Sequence, residues 1–224
     1  MDYIVISIGT LAMNRLWGEA RPVRTSHATT TLITDGKRRI LVDPSLPAAM
    51  LEVRVFERTG QTLDRVTDVF CTSLRPVHRR GLSAFASARW WCCEAELGAY
   101  GRHLAALRDS ADRLSGDDAA LVEADLALLE RFKPAPDKFS EQVSLFPLPG
   151  PSFGSAGLLL TPPTATIVIA GDAALTREHV ERGQVWEGAT DTESALDSLA
   201  ELLDLADVIV PGHDNVMFVT QRMM

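Results

Sequence analysis

Basic side chains are crowded into one short segment of a chain that is acidic as a whole. Arg75, Arg79 and Arg80 stand close together beside His78, whereas the chain has 22 basic and 30 acidic residues and a net charge of -8. Guanidinium groups bind carboxylates and phosphates through paired hydrogen bonds. The segment therefore predicts either a local anion site at the mouth of a cleft or a solvated turn whose arginines pair with nearby acids. For Arg79 and Arg80 we favour the second interpretation.

A side chain of the same segment could also act as a nucleophile. Ser73, His78 and Asp172 are the residue types of a catalytic triad, in which the histidine takes the serine proton and the carboxylate orients the histidine. The residues around Ser73 do not resemble a nucleophile elbow. We therefore favour a small polar residue at position 73 that has no catalytic role.

The whole segment of residues 66–81, VTDVFCTSLRPVHRRG, resembles the metal-binding loop of the metallo-β-lactamase superfamily, whose pattern is His-x-His-x-Asp-His. In that register the four ligand positions are Ser73, Arg75, Val77 and His78. Three of these positions have lost the ligand of the family, and His78 alone retains it.

Four further segments resemble the same family in the correct order along the chain. HATTTLITDGKRRILVDPSLP, at residues 27–47, is similar to the opening hairpin of the family and has Asp43 near its end. FPLPGPSFGSAGLLL is similar to the Pro-Gly-His turn, with Pro151 in place of the histidine. TIVIAGDAAL places Asp172 at the position of the aspartate that bridges two metals, and ADVIVPGHDN places His213 at that of the last histidine.

The resemblance implies an α/β fold, the four-layer αββα sandwich, in which loops at one edge of two packed sheets hold two metal ions. The first metal position has lost all three of its histidines, to Ser73, Arg75 and Pro151, and retains only the shared Asp172. The resemblance therefore implies that the dinuclear site is lost.

The second metal position has lost its aspartate, to Val77, but retains His78, Asp172 and His213. Two imidazoles and a carboxylate can bind zinc, iron or manganese and leave positions open for water. The alternative is that both histidines are hydrogen-bonded loop residues and that Asp172 caps the helix that follows it. The sequence leaves both alternatives open, so the expected cofactor is either none or one divalent metal ion.

Arg75 argues against a metal, because its guanidinium is always charged and would stand close to a dication. Without metals, Asp172 would be a desolvated carboxylate that needs a cationic partner. Arg75 is predicted to be that partner. Asp43 is expected to hold loops by hydrogen bonds, as it does in the family, and His27 is a further ligand candidate for the cleft.

Two functions follow from these alternatives. The first is a degenerate member of the superfamily that has lost dinuclear hydrolysis and binds a small anionic ligand or a protein partner. The second is a mononuclear hydrolase of small esters, lactones or thioesters that uses His78, Asp172 and His213. No catalytic residue is assigned in either case.

The elements that must position these residues alternate between strands and helices. Short β-branched runs bounded by turn residues predict strands at 4–8, 29–34, 39–42, 68–72, 156–160, 166–170 and 208–210. Helical periodicity predicts helices at 48–58, 94–113, 119–132 and 193–205. Hairpin strands followed by alternating strands and helices fit two packed sheets with helices outside them.

Residues 94–138 differ in composition from the rest of the chain. They contain two amphipathic patterns separated by Ser115 and Gly116 and ended by Pro134 and Pro136. We predict a helical insertion that covers one sheet or forms a dimer contact, and in the second case the protein would be a homodimer.

The composition excludes several classes of protein. A chain of 224 residues suffices for one sizeable core, and we predict a single domain over residues 1–224. Its acidic balance argues against a nucleic-acid partner, and no run approaches the roughly 18 apolar residues of a membrane span. The N-terminus lacks the basic residues of a signal peptide. Because Cys71, Cys92 and Cys93 form no CxxC pair, we expect buried, unreactive thiols and a cytoplasmic protein.

Overall fold

The computed structural model describes residues 1–110 and 115–219, and the strands within these residues form two sheets. The first sheet has the order β1-β2-β3-β4-β5-β6, and its strands are β1 (Asp2–Ser7), β2 (Thr30–Asp35), β3 (Arg38–Val42), β4 (Asp68–Cys71), β5 (Arg89–Cys92) and β6 (Phe132–Pro134). The second sheet has the order β11-β10-β9-β8-β7, and its strands are β7 (Val143–Pro147), β8 (Ala156–Leu160), β9 (Ile167–Gly171), β10 (Val208–Pro211) and β11 (Met217–Phe218).

Both sheets combine antiparallel and parallel pairing. In the first sheet β1, β2 and β3 are antiparallel, and β3 to β6 are parallel. The β2–β3 hairpin turns at Gly36, whose φ of 56° suits glycine. In the second sheet β9 and β10 are parallel, and the remaining neighbours are antiparallel. The parallel strands of each sheet therefore end at one common edge of that sheet.

Helices cover the outer faces of both sheets. They are α1 (Ala48–Thr59), α2 (Pro76–Arg79), α3 (Glu94–Asp109), α4 (Gly116–Leu129), α5 (Arg177–Glu181) and α6 (Thr192–Leu205). Leu51 of α1 and Leu128 of α4 pack with the first sheet in one apolar cluster. Leu199 and Leu202 of α6 pack with Ile209 of the second sheet in another.

A third apolar cluster lies between the two sheets and contains Val42 and Phe70 from one and Leu158, Ile169 and Val210 from the other. Strand residues alternate between the two faces of a sheet, so one face meets the helices and the other meets the facing sheet. The order of layers is thus helix, sheet, sheet, helix, which is the predicted αββα sandwich.

The structure corrects several predicted boundaries. The predicted helix at 119–132 is α4, which begins earlier, where the Ser115 hydroxyl accepts from the backbone N–H of Asp118, and ends at Leu129. Phe132 belongs instead to β6, where it pairs with Trp90. The predicted helix at 94–113 ends at Asp109, and its last residues lie partly outside the described ones.

Four short strands, β5, β6, β7 and β11, were absent from the sequence prediction. They have between two and five residues, too few for an alternating pattern to stand out, and pairing with distant strands determines them. Whether residues 94–138 are an insertion in this family stays a prediction. Among the described residues, no helix is both long and apolar enough to cross a membrane.

Candidate functional site

Three chain segments bring the predicted site residues together at one edge of the sandwich. β4 leads into the loop that carries Arg75 and His78, β9 ends at Gly171 directly before Asp172, and β10 ends just before His213. Gly171 has a φ of 54°, and a Cβ there would lie 2.5 Å from Oγ1 of Thr72. Only glycine therefore allows β9 to approach the end of β4 so closely.

His78 lies between two carboxylates. Its Nε2 is 2.8 Å from Oδ2 of Asp172, its Nδ1 is 3.0 Å from Oδ2 of Asp43, and its side chain is fully buried. Pro76 begins the short helix α2 that carries it, because a proline suits the first helical position. Both ring nitrogens of His78 are thus engaged by acids.

Asp43 joins the end of β3 to the end of β4. Its Oδ1 accepts from the backbone N–H of Thr72 at 2.8 Å, and its Oδ2 accepts from the Thr72 hydroxyl at 2.7 Å. Its φ of 49° makes it the one non-glycine with positive φ among the described residues. These hydrogen bonds hold Asp43 in that uncommon conformation and orient His78.

His213 faces the other oxygen of Asp172. Its Nε2 lies 3.1 Å from Oδ1 of Asp172, while its Nδ1 lies 3.1 Å and 3.0 Å from the carbonyl oxygens of Thr10 and His27. Carbonyl oxygens only accept, so Nδ1 carries hydrogen and Nε2 is an acceptor in the neutral ring. Two acceptors therefore face each other, and Oδ1 of Asp172 has no hydrogen-bond donor among the described residues.

Arg75 pairs with Asp172, as the sequence predicted. Its Nη2 donates to Oδ2 of Asp172, and its guanidinium carbon lies 4.0 Å from the centre of the Trp186 ring. The Arg75 side chain is 24% exposed. The guanidinium is thus held by a carboxylate on one side and an aromatic face on the other.

The electrostatics of the cluster favour charged groups. Burial by itself would lower the pKa of His78, but the charges of Asp172 and Asp43 and their hydrogen bonds raise it from 6.5 to about 10. Burial alone would raise the pKa of Asp172, but the charges of His78 and Arg75 and hydrogen bonds from the imidazoles lower it well below its ordinary value. The four groups thus form two carboxylates balanced by two cations.

The vacated ligand positions have other contacts. The hydroxyl of Ser73 donates to Oε1 of Glu96 at 3.2 Å, and the backbone oxygen of Val77 accepts from Ser45. Pro151 is buried in the turn before β8. Because both nitrogens of His78 face carboxylates, the triad of Ser73, His78 and Asp172 is not assembled.

Glu96 is the site residue that sequence reasoning missed. It lies in the first turn of α3, is 1% exposed, and its carboxylate accepts from Ser73, Leu74, Ser152 and Gly154 at 2.8 to 3.2 Å. An acidic residue at a helix start is a common signal. Nothing local could show that Glu96 reaches two loops that are distant along the chain.

Other residues of the basic segment have structural contacts. Arg79 is not in a solvated turn, because its buried guanidinium pairs with Asp125 of α4 at 2.6 Å and contacts Tyr100 of α3. Arg80 is exposed and donates to the carbonyl oxygen of Ser26. The ring of His27 lies against backbone carbonyl oxygens, so its carbonyl, and not its imidazole, contributes to the cluster.

The three cysteines are buried, as predicted. Burial raises the pKa of the Cys71 and Cys92 thiols well above the ordinary value. A thiolate is the reactive form of cysteine, so these thiols are unreactive.

One set of residues has the donor atoms for a metal ion. One ligand atom from each of His78, Asp172 and His213 lies within 4.8 Å of the others, and all three residues are buried. The unpartnered Oδ1 of Asp172 and the facing Nε2 of His213 suit a cation. Arg75 already occupies Oδ2, so the residues fit one ion and not two.

Comparisons with known proteins agree on one fold. The model of the Metallo-beta-lactamase superfamily matches residues 23–213. No curated protein matches the sequence. A candidate metallo-beta-lactamase from Thermotoga maritima is similar in structure, with a TM-score of 0.71 and 16% identity over 97% of this chain and 98% of the other.

Two lactonases are also similar in structure. AidC, a dizinc quorum-quenching lactonase, gives a TM-score of 0.67 and 14% identity over 85% of this chain and 74% of its own. AiiA of B. thuringiensis, with N-decanoyl-L-homoserine bound at its active site, gives 0.65 and 19% over 95% and 92%. At these identities the likeness concerns the fold alone.

Proposed function

The chain belongs to the metallo-beta-lactamase superfamily, and we propose that it has exchanged dinuclear hydrolysis for ligand binding in a cleft that carries Arg75. The contact between the Arg75 guanidinium and the Asp172 carboxylate carries this proposal. A guanidinium stays protonated at every pH that a folded protein tolerates. Arg75 therefore supplies a fixed positive charge where the carboxylate would otherwise face a metal cation.

The side chains at the first metal position support this proposal. Imidazoles, thiolates and carboxylates are the ligands of zinc, whereas Ser73, Arg75 and Pro151 offer a hydroxyl, a cation and no polar group. The hydroxyl of Ser73 is also engaged by Glu96. Arg75 would repel a dication at this position, so a pair of metal ions cannot form there.

A small anion is the ligand that fits the remaining donors of Arg75. Its Nε has no hydrogen-bond partner among the described residues, and Trp186 covers one face of the guanidinium. Carboxylates and phosphates accept paired hydrogen bonds from a guanidinium. We therefore assign a small carboxylate or phosphate as the ligand class of this cleft.

Calorimetric titration of zinc into the wild type and the Arg75→Ala variant tests the proposal. The wild type should bind no zinc at micromolar concentrations, because Arg75 and the proton of His78 compete with the ion. Arg75→Ala should gain binding of one ion, and a second substitution, His213→Ala, should abolish it. Equal zinc binding by the wild type and by Arg75→Ala would contradict the proposal.

The facing acceptors of His213 and Asp172 favour a second candidate, a hydrolase that uses one metal ion. A zinc, iron or manganese ion held by His78, Asp172 and His213 would supply a Lewis acid for the hydrolysis of small esters, lactones or thioesters. Asp43 and the carbonyl oxygens of Thr10 and His27 would orient the two imidazoles. Two of the similar structures are lactonases, which is why lactones belong among the substrates to test.

Turnover by protein loaded with each of these metals tests the second candidate. It requires hydrolysis of at least one ester, lactone or thioester that depends on the metal and disappears in His213→Ala. The absence of turnover with all three metals would reject it.

A further inference from the structure

A second cavity lies beside the Arg75 cluster without including it. This pocket has a volume of about 510 Å³ and is lined by the loop after β1, the segment after α5 and the start of α6. Pockets of this size bind small organic molecules. Trp186 is shared, because its ring contacts Arg75 and also lines the pocket.

The wall of this pocket is mainly apolar. Its apolar lining residues are Leu11, Met13, Leu16, Leu175, Val185 and Leu196. Leu196 is 42% exposed on α6, so part of this apolar surface is open. At the rim, Arg15 and Glu187 pair with each other at 3.2 Å. The pocket therefore offers an apolar ligand contact area and no unpaired charge at its rim.

Asn14 supplies a hydrogen-bond donor to this pocket. Its side chain is 1% exposed, and its Oδ1 accepts from the backbone N–H of Leu16 at 3.0 Å. That hydrogen bond fixes the orientation of the amide, because a backbone N–H needs the oxygen. The remaining amide nitrogen, Nδ2, has no partner among the described residues. A buried donor without a partner is costly, so a ligand that accepts from it would gain affinity.

His179 supplies an acceptor to the same pocket. The hydroxyl of Thr176 donates to Glu178 at 2.9 Å, so it must accept from the Nδ1–H of His179, which is 2.8 Å away. Burial lowers the pKa of His179, so the ring is neutral near pH 7. Its Nε2 is therefore a lone-pair acceptor on a residue that lines the pocket.

We infer that this pocket binds an uncharged, mostly apolar molecule that carries both a donor and an acceptor, the chemistry of a medium-chain amide. An amide carbonyl would accept from Asn14, and an amide N–H would donate to His179. A carboxylate of the same length has no donor for His179 and carries a charge that the apolar wall does not solvate. The inference stands whether or not the Arg75 cluster binds an anion or a metal.

Calorimetric titrations with hexanamide and hexanoate test the inference. Hexanamide should bind the wild type at least about tenfold more tightly than hexanoate, the difference that one unsatisfied polar group produces. Leu196→Trp, which fills the pocket from an exposed position, should reduce hexanamide affinity by a similar factor. Arg80→Ala, a substitution of an exposed residue whose side chain contacts Ser26, is the matched control and should leave hexanamide affinity unchanged.

Asn14→Ser tests the donor directly. The serine hydroxyl can still accept from Leu16, but the amide nitrogen is lost, so hexanamide should bind about tenfold more weakly. If Asn14→Ser does not fold, Asn14→Asp keeps the shape and the acceptor and should show the same loss. No hexanamide binding by the wild type, equal affinity for hexanoate, or unchanged affinity in Leu196→Trp or in the folded position-14 variant would overturn the inference.

Discussion

Asp172 connects the charged side chains of the cluster. Its Oδ2 contacts Arg75 and His78, and its Oδ1 faces His213. Taking a carboxylate out of water is costly unless cations and donors replace the lost hydration. The positive charges of Arg75 and His78 therefore keep Asp172 ionised in a buried position, the task that metal ions perform in the rest of the family.

Removing Arg75 should destabilise the protein. Arg75→Ala leaves Asp172 with fewer cationic partners, and we expect the free energy of unfolding to fall by about 2 to 3 kcal/mol. Urea denaturation of Arg75→Ala, Asp172→Asn and the double variant should give a coupling energy above about 1 kcal/mol. Arg80→Ala, on the same loop but exposed, should change stability by less than about 0.5 kcal/mol. A coupling energy near zero would mean that the ion pair has no energetic role.

His78 should make the metal-free protein less stable at alkaline pH. Its pKa is about 10 in the folded protein and 6.5 as an ordinary value, so the folded state binds the proton more tightly. This contribution is fully present below pH 6.5 and is lost as the pH rises towards 10. Urea denaturation in the presence of a chelator should show that decline in the wild type, and His78→Gln should flatten it. Parallel pH profiles of the two proteins would contradict the assignment of a positive charge to His78.

Sequence reasoning predicted part of the cluster. The pairing of Arg75 with Asp172 follows from a charge argument, because a vacated metal site leaves a carboxylate in need of a cation. The roles of Trp186 and Glu96 could not be predicted in the same way. Their contacts with Arg75 and Ser73 depend on loop conformations that no local pattern in the sequence determines.

At the scale of elements, the start of α3 holds two loops in place. The carboxylate of Glu96 accepts from Leu74 in the loop after β4 and from Gly154 in the turn before β8. These are the two loops that carry the first metal ligands in the family. Glu96 therefore preserves the shape of the site although the ligands of that metal are lost.

Glu96→Ala should destabilise both loops. It would leave two backbone N–H groups and two hydroxyls without acceptors, and we expect a loss of about 2 to 4 kcal/mol in the free energy of unfolding. Hydrogen exchange at Leu74 and Gly154 should accelerate in the same variant. Glu94→Ala, an exposed acid in the same first turn, serves as the control and should change neither measurement. Unchanged exchange at Leu74 and Gly154 would show that the loops do not depend on Glu96.

The predicted and missed elements differ in length and pairing. β2 and β3 were predictable because their β-branched runs flank a glycine turn. β6 was assigned to a helix because its residues follow an amphipathic pattern directly, and only its pairing with β5 makes it a strand. The ends of elements that depend on such distant pairing lie beyond what local periodicity can determine.

At the scale of the whole molecule, the αββα sandwich is intact although most metal ligands are absent. The three apolar clusters that hold the layers together do not contain the ligand positions. The fold and the metal chemistry are thus separable, because packing depends on strand and helix residues whereas ligands lie on loops. For this reason the fold was predictable from five segments, while the state of the metal site was not.

Restoring the ligands of the family should therefore restore metal binding. A variant with Ser73→His, Arg75→His, Val77→Asp and Pro151→His should bind two zinc ions, since the scaffold keeps Asp172, His78 and His213 in place. The matched variant that retains Arg75 and carries the other three changes should bind at most one. A folded four-residue variant that binds no zinc would mean that these loops do not have the geometry of the family.

The metal content of the purified wild type tests the central claim most directly. Protein prepared without a chelator or a histidine tag, beside a His213→Ala control, should be measured for zinc, iron and manganese by elemental analysis. If Arg75 has replaced the metals, both proteins should contain none above background, even after reconstitution. One metal ion per chain in the wild type that is absent from His213→Ala would contradict the claim and establish the mononuclear site.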